Sequence, residues 1–166
     1  SKLIILLSLL LVPVTAYAVN FSDVSEDMFT YQAISVFEAD GIVEGYPDGT
    51  FRPDQAINRA EALKIILLAF PNGESLADNA FTDVFDDQWF FDFVREGVGR
   101  SIVEGYTDGT FKPGQTVNFA ESLKMGLFAK GVAEGDLVYQ EFHPDILSDD
   151  WFARYFSYGY DKNLFD

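Results

Sequence analysis

Apolar residues fall at helical spacing in several stretches of this chain. Phe29, Ala33, Val36 and Phe37 lie at i, i+4, i+7 and i+8 and predict an amphipathic helix over residues 27–39. Leu63, Ile66, Leu67 and Phe70 form the i, i+3, i+4, i+7 stripe of a core helix. Its entry reads Asn58-Arg59-Ala60-Glu61, in which an N-cap Asn and a Glu three residues on make a capping box. The pattern recurs as a helix over 88–98 and another over 119–130 behind Asn118. Gly97 and Gly99 weaken the former by about 1 kcal/mol each relative to Ala. Within each pair, the helices are joined by a short apolar plug, Ile42-Val43 or Ile102-Val103, and by a tight turn, Pro47-Asp48-Gly49 or Thr107-Asp108-Gly109. Gly41 suits a left-handed position after the first helix, and Ser101 stands at the corresponding place in the second pair.

The two pairs are copies of one unit. Aligned without a gap, residues 21–70 and 81–130 are identical at 22 of 50 positions. Such self-similarity marks tandem structural repeats. Asp145-Ile146 and Trp151-Phe152 match Asp83-Val84 and Trp89-Phe90, so a third copy opens late and reaches residue 166 before its own Gly-Tyr-x-Asp-Gly segment. Polar, acidic linkers are expected at 71–80 and 131–141. A unit of this length buries little surface alone, so the stripes on the second helices need one another as partners.

Residues 1–18 change the picture at the N-terminus. Lys2, the apolar run 3–14 and Ala16-Tyr17-Ala18 read as a secretory signal peptide cleaved after Ala18. The run is short for a membrane span, so no membrane insertion is expected after cleavage. The formal net charge is −16, and cleavage removes one lysine. That surface repels nucleic acid and anionic lipid and excludes a basic-patch binder. Cysteine is absent, so no disulfide holds the exported fold. Seventeen Phe, eight Tyr and two Trp supply a core instead.

The ordered set Phe-x-Asp-Val, aromatic helix, Gly/Ser-Ile-Val-Glu-Gly-Tyr-x-Asp-Gly-Thr-Phe-x-Pro and Asn-x-Ala-Glu occurs twice and resembles the S-layer homology (SLH) domain. Residues 19–70 and 81–130 each look like a full repeat, and 142–166 like part of a third. The resemblance implies an all-α fold of tandem helix–loop–helix repeats, a pseudo-threefold spindle left incomplete by the truncated third repeat. It also implies a non-catalytic module that anchors an exported protein to cell-wall polysaccharide, often one bearing pyruvyl ketals. The family's ligand arginine corresponds to Arg59; Phe119 stands at that place in the second repeat.

A ketal presents a carboxylate, which Arg59 in the first turn of a helix can bind through two N–H groups, aided by the helix N-terminus. Asn58, Phe119, Trp89 and Trp151 complete the candidate glycan-binding set, the aromatic residues as sugar platforms or, equally, as core. Lys64 and Lys124 read as solvated or salt-bridged, and Tyr46 and Tyr106 as loop anchors. Asp23, Glu26 and Asp27 recur as Asp83, Asp86 and Asp87 and as Asp145, Asp149 and Asp150. Helix capping explains them better than calcium, since they lack the alternate-residue ladder of a calcium loop. His143, the one histidine, reads as packing where the other repeats have Phe21 and Phe81. No cofactor and no enzymatic activity are expected. The partners expected are wall polysaccharide or, in an alternative reading as an assembly module with weak glycan binding, other surface-layer subunits. Either places the protein outside the cell, at the envelope.

Overall fold

A computed structural model describes residues 19–72, 75–141 and 143–164. The expected signal segment, residues 1–18, lies outside the described residues. All regular structure among them is helical apart from one isolated antiparallel bridge between Asn58 and Thr116. The helices are α1 (Tyr31–Ala39), α2 (Arg59–Ala69), α3 (Phe91–Gly99), α4 (Phe119–Ala129) and α5 (Ala153–Asp161). A short 3-10 turn, Glu134–Asp136, precedes α5. The chain divides into two compact units, through Pro53 and from Asp54 onward. Packing units and sequence repeats therefore cut the chain differently, because α2 packs with the elements that follow it.

In the first unit α1 begins four residues later than expected, and its inward face differs from the predicted one. Phe29 is fully exposed, Ala33 and Val36 are exposed, and the buried residues are Ile34 and Ser35. Phe29 precedes the first helical turn, so its spacing to Ala33 is not a helical spacing, and the true face starts from Ile34. The loop behind α1 is closed by a carboxylate. Asp23 accepts the backbone N–H of Phe51 and of Arg52, each at 2.7 Å. These bonds hold its carboxyl below the usual range. The Phe21 and Phe51 rings then pack 5.3 Å apart. At the turn, Asp48 accepts from the Thr50 hydroxyl at 2.6 Å and from Arg52 Nη2 at 2.8 Å. Arg52 also lies 3.9 Å over the Tyr46 ring.

The second unit repeats this loop. Asp83 accepts from the N–H of Phe111 and of Lys112, both at 2.8 Å, and Asp108 pairs with Lys112 at 3.1 Å. Asp23 and Asp83 thus tie distant loop backbone rather than cap helices. Arg52 and Lys112 sit at φ 61° and 58°, a strained conformation for residues with a Cβ. The carboxylate below each and the turn Asp beside it offset that strain. No group of three acidic or histidine side chains able to hold a metal ion occurs among the described residues. His143 is exposed, 3.8 Å from Asp145, and does not take the packing place of Phe21 and Phe81. A hydrated imidazole next to a carboxylate gains nothing by burial there.

The core of the second unit forms where α2 packs on α3 and α4, with α5 on α4. Leu63, Leu67, Val84, Val94, Ile102, Phe111 and Met125 are buried together. Leu127, Leu137 and Tyr155 form a second cluster. Gly97 is part of this packing: a Cβ there would stand 2.9 Å from Leu63 Cδ1 and from Val103 Cγ2. The helix propensity lost at Gly97 is the condition for the close approach of α3 to α2. Both capping boxes are present, Asn58 with Glu61 and Asn118 with Glu121.

At the other ends of α2 and α4 sits Arg100, whose side chain is 9% exposed. Its Nη2 donates to the carbonyls of Phe70 at 2.8 Å and Ala129 at 3.3 Å, and Nη1 pairs with Glu96 at 2.8 Å. One guanidinium thus serves the partly negative C-termini of both helices. Helices α1, α3 and α5 end alike. Gly41, Ser101 and Asn163 have φ 70°, 56° and 52°. The next amide bonds back five residues in each case, Ile42 to Phe37, Ile102 to Gly97 and Leu164 to Gly159.

Three outcomes follow from these loops. Gly109 has φ 80°, so Gly109→Val lowers the melting temperature, with a strain cost of about 1–2 kcal/mol; unchanged melting removes the conformational requirement. Asp83→Ala orphans two loop amides and costs about 1–3 kcal/mol in urea unfolding. Asp48 is held down to about 2, first by the Thr50 hydroxyl and then by Arg52. A depressed folded-state pKa contributes stability above the ordinary value of 3.8, lost as pH falls towards 2. Carboxyl NMR titration of Asp48 is expected to show a midpoint near 2, and Asp48→Asn to flatten the stability profile between those values.

Candidate functional site

The capping box, the loop carried by Asp83 and the start of α5 converge on one open groove of about 220 Å³. Arg59, Tyr106, Glu121, Lys124, Phe128 and Trp151 are among its lining residues. Arg59 is the first residue of α2. Its guanidinium lies 4.8 Å from the centre of the Phe111 ring and 5.6 Å from that of Tyr106. Nη2 donates to the Glu104 carbonyl at 2.8 Å, while Nε is buried and finds no acceptor among the described residues. Burial pushes the Arg59 pKa down, against opposing pulls from Tyr106 and Glu121. A guanidinium remains charged under such a shift. The result is a half-buried cation on an aromatic floor, with hydrogen-bonding capacity to spare.

The N-terminus of α2 does not add free donors. Arg59 N donates to the Gln115 carbonyl at 2.9 Å, Ala60 N to that of Pro113 at 3.1 Å and Glu61 N to the Asn58 side chain at 2.9 Å. The helix N-terminus can therefore favour an anion through its field but not through these amides. Any anion here is held by side chains. Lys124 is the second cation in the groove, lying 5.7 Å from the Phe128 ring centre and 5.8 Å from that of Tyr155. The sequence reads it as solvated or salt-bridged. Nothing local signals its direction, since the groove is completed by Trp151, from beyond the second repeat.

The five candidate residues do not form one cluster. Arg59 and Trp151 share the groove, Trp151 being 53% exposed. Asn58 is the N-cap of α2 and is occupied by Glu61. Trp89 is also exposed; it stacks edge-on with Phe90 and Phe93 and has Lys64 6.0 Å from its ring. Phe119, 58% exposed, packs edge-on against Phe156 with ring centres 5.6 Å apart.

The model of the S-layer homology domain matches residues 20–63 and 80–121. The chain belongs to the SLH family. Its relatives include cell surface glycoprotein 1 of Acetivibrio thermocellus, 32% identical over 79% of this chain and 6% of that protein. The middle cell wall protein of Brevibacillus brevis is 36% identical over 60% of the chain and 10% of its own length. The cellulosome-anchoring protein of A. thermocellus is 27% identical over 65% of the chain and 25% of its own length. The chain thus spans a quarter or less of each of these relatives. Its SLH character places it at the cell envelope, and no helix among the described residues is long and apolar enough to cross a membrane.

Proposed function

We propose that this SLH chain is a non-catalytic module that anchors an exported protein to the cell wall by binding an anionic polysaccharide, with a pyruvyl ketal or similar carboxylate seated at Arg59. The observation that carries this reading is the Arg59 guanidinium itself. It is held on the Phe111 ring by the Glu104 carbonyl, with an unpartnered Nε, in a groove that Lys124 also lines and Trp151 walls. A charge fixed before the ligand arrives costs little ordering on binding, and low local dielectric strengthens its hydrogen bonds to a carboxylate. Glu121 lines the same groove, and its negative charge disfavours a dianion, which points to a singly charged group. Trp151 offers an apolar face to the sugar that bears it. The names of the relatives, which speak of cell walls, surface layers and anchoring, agree with this role.

The test is titration of purified wall polysaccharide, with and without removal of ketal groups. Arg59→Ala weakens binding by about 1.5–3 kcal/mol, the range for hydrogen bonds to charged groups. It also costs about 1 kcal/mol of stability, because the side chain packs on Phe111 and bonds to Glu104. Lys124→Gln leaves melting unchanged, weakens binding about threefold and flattens its salt dependence, as loss of a partly solvated charge should. Equal binding by wild type and Arg59→Ala contradicts the assignment. Folded wild type that binds no wall polymer favours the alternative, an assembly module for surface-layer subunits.

A further inference from the structure

The groove does not end at Trp151. The Trp151 ring lies 5.6 Å from Phe152, Phe152 lies 5.5 Å from Phe156, and Phe156 lies 5.6 Å from Phe119. Four rings thus run without a break from the wall of the Arg59 groove, along the start of α5, to the first turn of α4. Phe152 and Phe156 are half-buried between the two more exposed end rings, Trp151 and Phe119. Phe152 is the N-cap of α5, and its ring meets that of Phe156 in the first turn of the helix.

We propose that this strip is a second subsite of the same groove, which takes the neutral pyranose residues next to the one whose carboxylate sits at Arg59. The proposal rests on the reading of Arg59 given above. Three observations select a saccharide. The strip is continuous with the groove through Trp151, so a chain leaving the groove meets it first. The four rings carry no charge, in a chain whose formal net charge is −16. The rings meet edge to face, at interplanar angles of 89°, 65° and 77°, so the exposed end rings Trp151 and Phe119 are the surfaces against which the apolar C–H face of a pyranose can pack. On this account Phe119, where the first repeat has Arg59, is not a lost anion site. It is the far end of an extended one.

The test separates this subsite from the Arg59 reading. The probes are a pyruvyl-ketal monosaccharide and oligosaccharides of graded length released from the same wall polysaccharide, titrated calorimetrically. Wild type binds longer fragments more tightly than the monosaccharide, by about fivefold for each ring engaged. Phe119→Ser, at an exposed position, loses the last step of that gain and binds the monosaccharide as wild type does; Phe119→Tyr keeps the gain. A gain with length that is the same in Phe119→Ser overturns the strip and leaves the Arg59 reading standing. Failure of wild type to bind any of the probes overturns both. Sedimentation that shows a wild-type dimer dissolved by Phe119→Ser overturns the saccharide assignment in favour of a second copy of the chain as occupant.

Discussion

The carboxylate of Asp83 accepting two consecutive loop amides is the contact from which the groove is built. It holds Phe111 and Lys112 in place, and Lys112 needs holding because its φ of 58° is unfavourable for a side-chain-bearing residue. Once the loop is fixed, Phe111 is fully buried and presents its ring to Arg59. The following residues, Pro113 and Gln115, offer their carbonyls to the first amides of α2. The preceding turn, closed by the Tyr106–Thr110 hydrogen bond at 2.8 Å, places Tyr106 and the Glu104 carbonyl beside the guanidinium. One bidentate carboxylate therefore positions the floor, the neighbouring wall and the hydrogen-bond anchor of the cation.

A helix from one repeat and a loop from the next make this site together. Arg59 arises in the first repeat, but Glu104, Tyr106 and Phe111 belong to the second, and Trp151 stands in the third segment. The groove is thus a property of packed neighbours rather than of one repeat. Arg100 ties the far ends of α2 and α4 through Phe70 and Ala129, so the two helices that frame the groove are held at both ends.

What the sequence shows of this fold is its local part. The capping boxes at Asn58 and Asn118 depend on residues three apart, and the turn glycines at 49 and 109 on a single backbone torsion; these are legible without a structure. The inward face of α1 is not, because the apparent period started at Phe29, ahead of the helix. The role of Asp83 is also hidden, since its partners lie 28 and 29 residues away and an acid before a helix suggests capping first. Left-handed Ser101 is marked only by standing where the first repeat has Gly41, and left-handed Asn163 escapes notice because it is not glycine, though Asn tolerates that region better than most residues. Of the site, Arg59 and Trp151 are legible as residue types in a motif. That they meet, that Lys124 joins them and that Phe119 lies apart on α4 depends on helix packing, which periodicity does not specify.

Arg59 is the proposed seat of the anion, and its side chain carries a direct reporter. The Nε–H group is buried and without an acceptor among the described residues, so its NMR cross-peak is sensitive to a carboxylate arriving at the guanidinium. Titration of a pyruvyl-ketal monosaccharide into isotope-labelled protein is expected to shift the Arg59 Nε–H and Trp151 indole signals together, with the same saturation curve. Saturable shifts confined to other residues, with the Arg59 signal unmoved, would contradict that assignment.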